Sequence, residues 1–174
     1  MAQVVIRAAT ADDAAAIHRV TIEAWRAGVD PRSSGHRLTH DDVAAALGEG
    51  GAFVAVAGAT DDIVGSVLWA RVDDTVEVMK VAVLPTVRSG GFGRRLVAAV
   101  EAHARLSGAA RTLLAVSAFN PTLVGWYETQ GYAVQHEAVY LHASPHSPPP
   151  IVLVKRLDRD PAVTGTVPSP RPLR

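Results

Sequence analysis

The sequence predicts an α/β domain with a mixed central sheet of about seven strands flanked by about four helices. Three observations carry this expectation. Short β-branched runs alternate with helix-start signals over residues 4–157, in the order β-α-α-β-β-β-α-β-α-β-β. The densest run, Thr75–Val83, leads into a glycine-rich stretch and then an amphipathic segment. An apolar share of 48% with 20% charged residues over 174 positions suits a single buried core.

Val4-Val5-Ile6 opens as a strand. Thr10-Ala11-Asp12-Asp13 is a helix start with Thr10 as N-cap, and Ile17, Val20 and Ala24 give an apolar face to about Trp25. Gly28 and Pro31 stop that helix. Thr39-His40-Asp41-Asp42 repeats the capping pattern before Val43 and Leu47, and Gly48, Gly50 and Gly51 end the second helix. Strands over 52–56 and 63–69 flank a hairpin turn at 59–62. Pro85 closes the third strand of this group. Leu96, Val97, Val100 and Ala104 mark a helix, and 113–116 a strand. Asn120-Pro121 opens a short helix with asparagine as N-cap and proline in first position, and Gly131 closes it. Two last strands are expected near 133–141 and 151–154, around a Ser/Pro-rich loop. Residues 1–157 read as one domain. Residues 158–174, carrying Pro161, Pro168, Pro170 and Pro172, read as a disordered tail.

Lys plus Arg and Asp plus Glu are balanced at 17 each, which gives no reason to expect a nucleic acid or an anionic membrane as partner. The absence of cysteine excludes disulfides, thiolate zinc sites and an acyl-cysteine intermediate. The amino terminus lacks the basic start and apolar core of a signal peptide, and no apolar run approaches the ~20 residues of a membrane span. A cytoplasmic protein is therefore expected. His142 and His146 are four apart, but the Ser-Pro loop between them is not helical, which argues against a metal pair.

The strand-to-helix junction carries the chemistry. Gly91 and Gly93 let backbone approach a ligand closely. Amides of the loop and the first helical turn then converge where the helix dipole favours negative charge, a site for phosphate. Arg88, Arg94 and Arg95 add cations around it. A glycine turn that merely joins strand to helix would look alike, and the stretch matches neither the Walker nor the dinucleotide spacing.

Arg88-Ser89-Gly90-Gly91-Phe92-Gly93 resembles the Q/R-x-x-G-x-G/A signature of the GNAT acetyltransferase superfamily, with Arg88, Gly91 and Gly93 on its fixed positions. Val81-Ala82-Val83-Leu84-Pro85 is similar to that family's strand for the thioester and pantetheine. Asn120 lies seven residues before Tyr127, and Trp126-Tyr127-Glu128-Thr129-Gln130-Gly131-Tyr132 is similar to the closing Y-E-x-x-G-F/Y motif. The resemblance covers residues 4–157. Phe92 stands where Ile or Leu is usual and Ser89 where Gly or Arg is common, but neither change removes a backbone donor. The resemblance implies acetyl-CoA as co-substrate, held by Val81, Ala82, Val83, Arg88, Ser89, Gly90, Gly91, Phe92, Gly93, Arg94 and Asn120. It implies direct acetyl transfer to a primary amine of an unidentified acceptor in a ternary complex, and leaves room for a homodimer. It also implies a splayed strand whose amide near Val81 donates to the thioester oxygen. A non-catalytic acyl-CoA sensor of the same fold is the alternative.

On these positions Tyr127 is the candidate general acid. A phenol of reference pKa ~10 stays protonated at neutral pH, while a thiolate of ~8.5 accepts its proton. A tyrosine simply packed on the short helix is the plainer reading. Asn120 binds the pantetheine or diphosphate arm, or serves only as the N-cap of its helix. Glu77 is the candidate base. By period two it shares a face with Met79, Val81 and Val83, and a carboxylate beside Met79 is partly desolvated. An edge glutamate at the wet end of the strand fits equally well. Trp25, Arg26 and residues 31–38 correspond to the wall of the acceptor site in the family. Trp69 and Arg71 either face that site too or pack in ordinary ways.

Overall fold

The computed structural model describes residues 4–58 and 60–157, so the tail expected at 158–174 lies outside the described residues. Seven strands form one sheet: β1 (Val4–Ala8), β2 (Gly51–Ala57), β3 (Asp62–Val72), β4 (Thr75–Val83), β5 (Arg111–Val116), β6 (Ala133–Val134) and β7 (Ile151–Arg156). The helices are α1 (Ala14–Arg26), α2 (His40–Glu49), α3 (Phe92–Leu106) and α4 (Leu123–Glu128). Spatial order is β1-β2-β3-β4-β5-β7-β6. Among the described residues only β4 and β5 pair in parallel. Among the described residues no helix is long and apolar enough to cross a membrane.

Helices cover both faces, as the alternation of apolar positions requires. On one face Leu96, Val97, Val100 and Ala104 of α3 pack into a cluster with Val76, Val78, Leu114 and Leu153. On the other, Ile17, Val20 and Ala24 of α1 and Val43 of α2 pack with Val54, Leu68 and Met79. The helix starts follow the capping chemistry. Thr39 Oγ1 accepts from Asp42 N at 3.2 Å, and the Asp42 carboxylate accepts from Thr39 N at 2.8 Å. At the first helix the Asp13 carboxylate accepts from Thr10 N at 2.8 Å and from the Arg7 guanidinium at 2.7 Å. The signal at Thr10 first produces a 3-10 turn, Ala11–Asp13, and the α-helix proper begins at Ala14.

Three local expectations are corrected. The strand expected over 133–141 ends at Val134, where a turn closed by Ala138 N donating to Gln135 O sends the chain back across the sheet. Asn120 does not cap α4, whose N-cap is Thr122; its side-chain oxygen is taken by Asp30 N at 3.2 Å. Nor do Glu77, Met79, Val81 and Val83 share a face. Between Ser66↔Ala82 and Leu68↔Met79, Lys80 and Val81 oppose the single residue Val67, and Lys80 takes φ 52°. That bulge reverses the alternation. Val81 and Val83 therefore pack with the Val76 and Val78 cluster, while Met79 and Ala82 pack on the α1 side.

The bulge coincides with a parting of strands. The β4–β5 ladder runs only from Thr75↔Arg111 to Val78↔Leu114, although β4 continues to Val83. From Met79 onward the β5-facing edge of β4 has no strand partner among the described residues, and the site opens there.

Candidate active site

The parted strands, the end of α1, the start of α3, α4 and the loop before β7 enclose two cavities. The larger, about 600 Å³, is lined by Val81, Ala82, Val83, Arg88, Gly91, Gly93, Arg94 and Trp126, among others. The smaller, about 160 Å³, includes Lys80, Ser117, Asn120, Tyr140, His142 and Ser147 in its wall. Trp25, Val29, Val81, Leu123 and Tyr127 border both, so the cavities meet at these residues.

In the larger cavity the start of α3 supplies donors. Gly91 is its N-cap with φ 69°, a left-handed conformation in which glycine is favoured. The helical ladder begins with Arg95 N donating to Gly91 O at 3.2 Å, which leaves the amides of Phe92, Gly93 and Arg94 without helical partners. No acidic residue or side-chain cap competes for them. A Cβ at Gly93 would lie 3.5 Å from the Trp126 ring, and at Gly91 it would project into open space. Free amides, dipole and the Arg94 side chain suit a diphosphate.

The predicted loop residues divide. Arg88 borders the cavity, but its guanidinium clamps α1 to β4 by donating to Ala24 O and, through Nε at 3.3 Å, to Val83 O. Ser89, Gly90 and Phe92 are not in the wall. Gly90 instead makes room for the Phe92 ring, 2.2 Å from where a Cβ would stand. Arg95 turns away, donating to Val4 O at 3.0 Å and lying over Phe92.

Tyr127 stands at the junction, 8% exposed, with its ring edge-on to Trp126 at 4.7 Å. Burial alone pushes its phenol well above the ordinary range, and the hydroxyl has no hydrogen-bond partner among the described residues. Asn120 borders the smaller cavity rather than the larger, and its buried Nδ2 has no hydrogen-bond partner among the described residues. Trp25 donates through Nε1 to Val81 O at 3.2 Å, and Ser33, Ser34 and Gly35 continue the acceptor-side wall. Arg26 does not border it. Trp69 and Arg71 lie elsewhere: Trp69 stacks on His103 at 4.2 Å, and Arg71 donates to Ser107 O at 2.7 Å.

Glu77 is buried, at 2% exposed, and does not border either cavity. Its Oε1 accepts from Leu141 N at 3.2 Å and its Oε2 is bonded to His142 Nδ1. His142, not Glu77, borders the smaller cavity. Sequence reasoning missed this histidine. The contact spans 65 positions and exists only because β6 stops at Val134 and the chain folds back over β4.

The fold is shared with acetyltransferases of known structure. The fold superposes on the PaiA N-acetyltransferase of Thermoplasma acidophilum solved with coenzyme A, with TM-score 0.71 and 14% identity over 89% of this chain and 99% of that one. It also superposes on a GNAT-family acetyltransferase of Staphylococcus aureus, with TM-score 0.74 and 12% identity over 90% and 100% of the two chains. In sequence, residues 15–132 match the acetyltransferase (GNAT) family, and the chain belongs to that family of acyltransferases. A curated relative, the IAA acetyltransferase of Azospirillum brasilense, is 39% identical over 57 residues, which is 33% of this chain and 37% of the relative.

Proposed function

We propose that the protein transfers an acetyl group from acetyl-CoA to a primary amine while both are bound. The observation that carries this reading is the meeting of two cavities at Val81 and Tyr127, one beside a glycine-started helix whose first amides are free and one without such a start. Family membership and a solved neighbour holding coenzyme A support the assignment of the larger cavity. Bound acetyl-CoA would supply an acetyl thioester, whose acetyl carbon forms a C–N bond with the amine as its C–S bond breaks.

The residues of this chain then have distinct tasks. Arg94 and the free amides of α3 hold the diphosphate; Val81, Ala82 and Val83 line the route to the junction. The unpaired edge of β4 near Val81 offers a backbone donor to the thioester oxygen. Tyr127, kept protonated by burial, gives its proton to the departing sulfur. Glu77 and His142 supply the base together: the carboxylate holds Nδ1, which leaves Nε2 to take the amine proton from the cavity side. The proton on His142 then restores Tyr127, so the turnover balances. A thiol-release assay with acetyl-CoA against a broad amine panel tests the reading. Release that depends on an amine supports it. Acetyl-CoA binding without release from any amine would identify a sensor of the same fold.

A further inference from the structure

We propose that the acceptor is a small amine that also carries a carboxylate, as α-amino acids do, with the carboxylate received by Lys80, Asn120 and Ser147. This rests on reading the smaller cavity as the acceptor site.

Among the described residues no aspartate or glutamate borders that cavity. The carboxylate behind it, Glu77, is already engaged by Leu141 N and His142. A polyamine or other polycation would find no counter-charge there, and Lys80 would repel it. The wall is instead rich in donors that lack partners. Among the described residues two buried side-chain polar atoms have no hydrogen bond, Asn120 Nδ2 and Ser147 Oγ, and both residues border this cavity. A buried donor left unpaired loses its hydration without compensation, so each calls for an accepting ligand atom.

Lys80 adds the charge. The bulge sets it in a left-handed conformation, uncommon outside glycine, which directs it off the regular strand and into the cavity wall. Its ammonium lies 5.4 Å from the centre of the Trp25 ring and makes no ion pair or hydrogen bond among the described residues. Burial lowers its pKa, with the charge of Asp42 opposing. Tyr127, Tyr140 and His142 are the other titratable groups in the wall, and none carries a fixed negative charge at neutral pH. Among the described residues one cavity wall thus holds three such donors, one of them cationic, and no competing carboxylate, a set suited to an anionic oxygen pair.

The test compares kcat/KM, corrected to the neutral amine fraction, for α-amino acids, their carboxamides and α,ω-diamines. It uses the wild type and Lys80→Met. The free acids should be preferred over their amides by ~10–100-fold, the range of one charge-assisted hydrogen bond. Lys80→Met should remove that preference through KM, with activity on the amides and affinity for acetyl-CoA retained. Equal use of acids and amides, preference for diamines, or a Lys80→Met loss common to all amines would overturn the inference while leaving acetyl transfer standing. Absence of thiol release with every amine would instead overturn the proposed function.

Discussion

Tyr127 stands where the two cavities meet and His142 in the wall of the smaller one, and single substitutions separate their tasks. Tyr127→Phe deletes only the hydroxyl, so kcat should fall by ~10²–10⁴-fold with acetyl-CoA affinity kept, as measured by single-turnover kinetics and titration. Because burial raises the phenol, the protonated form this role needs persists through the ordinary phenol range, and alkaline loss from this group begins only above ~10. His142→Gln should lower kcat/KM by a similar ~10²–10⁴-fold. An acceptor of low amine pKa, already neutral in the assay, should rescue it while leaving Tyr127→Phe impaired. If Glu77 acts through His142, the double variant Glu77→Gln/His142→Gln should be no slower than His142→Gln alone. Additive losses would give Glu77 an independent task. At this scale the sequence motif located Tyr127, Gly91, Gly93 and Arg94 on the cavity wall. It did not reveal His142 or the structural duty of Gly90, since both depend on contacts fixed by the tertiary fold.

At the level of elements, capping chemistry and apolar spacing were enough to locate α1, α2 and α3, because those signals lie within a few residues of each other. The bulge in β4 was not legible, since no glycine or proline marks Lys80 and period two gave the wrong face beyond it. β6 was overextended for a related reason. The β-branched and aromatic residues after Val134 are consistent with a strand, yet Leu141 N and His142 are drawn to buried Glu77 instead. The start of α1 permits a pH prediction. The Arg7 guanidinium, with Thr10 N, holds the Asp13 carboxyl down to about 2, below its ordinary 3.8. A depressed carboxyl stabilises the fold above its unfolded pKa, so this contribution is complete above pH 4 and is lost as pH falls from 4 toward 2. Asp13→Asn should cost about 1 kcal/mol at neutral pH, as loss of a cap does, and flatten the acid decline between those limits in thermal melts. An unchanged acid limb would show that Asp13 does not tie β1 to α1 in solution.

Across the whole molecule, the order of elements and the two-faced core follow from patterning that any α/β domain must satisfy. The site follows from one departure, the parting of β4 from β5 after Val78 and Leu114. The smaller cavity opens between the parted strands and meets, at Val81 and Tyr127, the larger cavity beside α3, and the central claim is that acetyl-CoA occupies that larger cavity. Calorimetric titration of acetyl-CoA into the wild type and Gly91→Val measures this most directly. Valine cannot take φ 69° at low cost, and its side chain would project into the open space at the wall of the larger cavity. The wild type should bind one acetyl-CoA per chain, and Gly91→Val, with its circular dichroism unchanged, should bind at least ~10-fold more weakly. Equal affinity in a folded Gly91→Val protein would contradict the assignment of the cavity to acetyl-CoA.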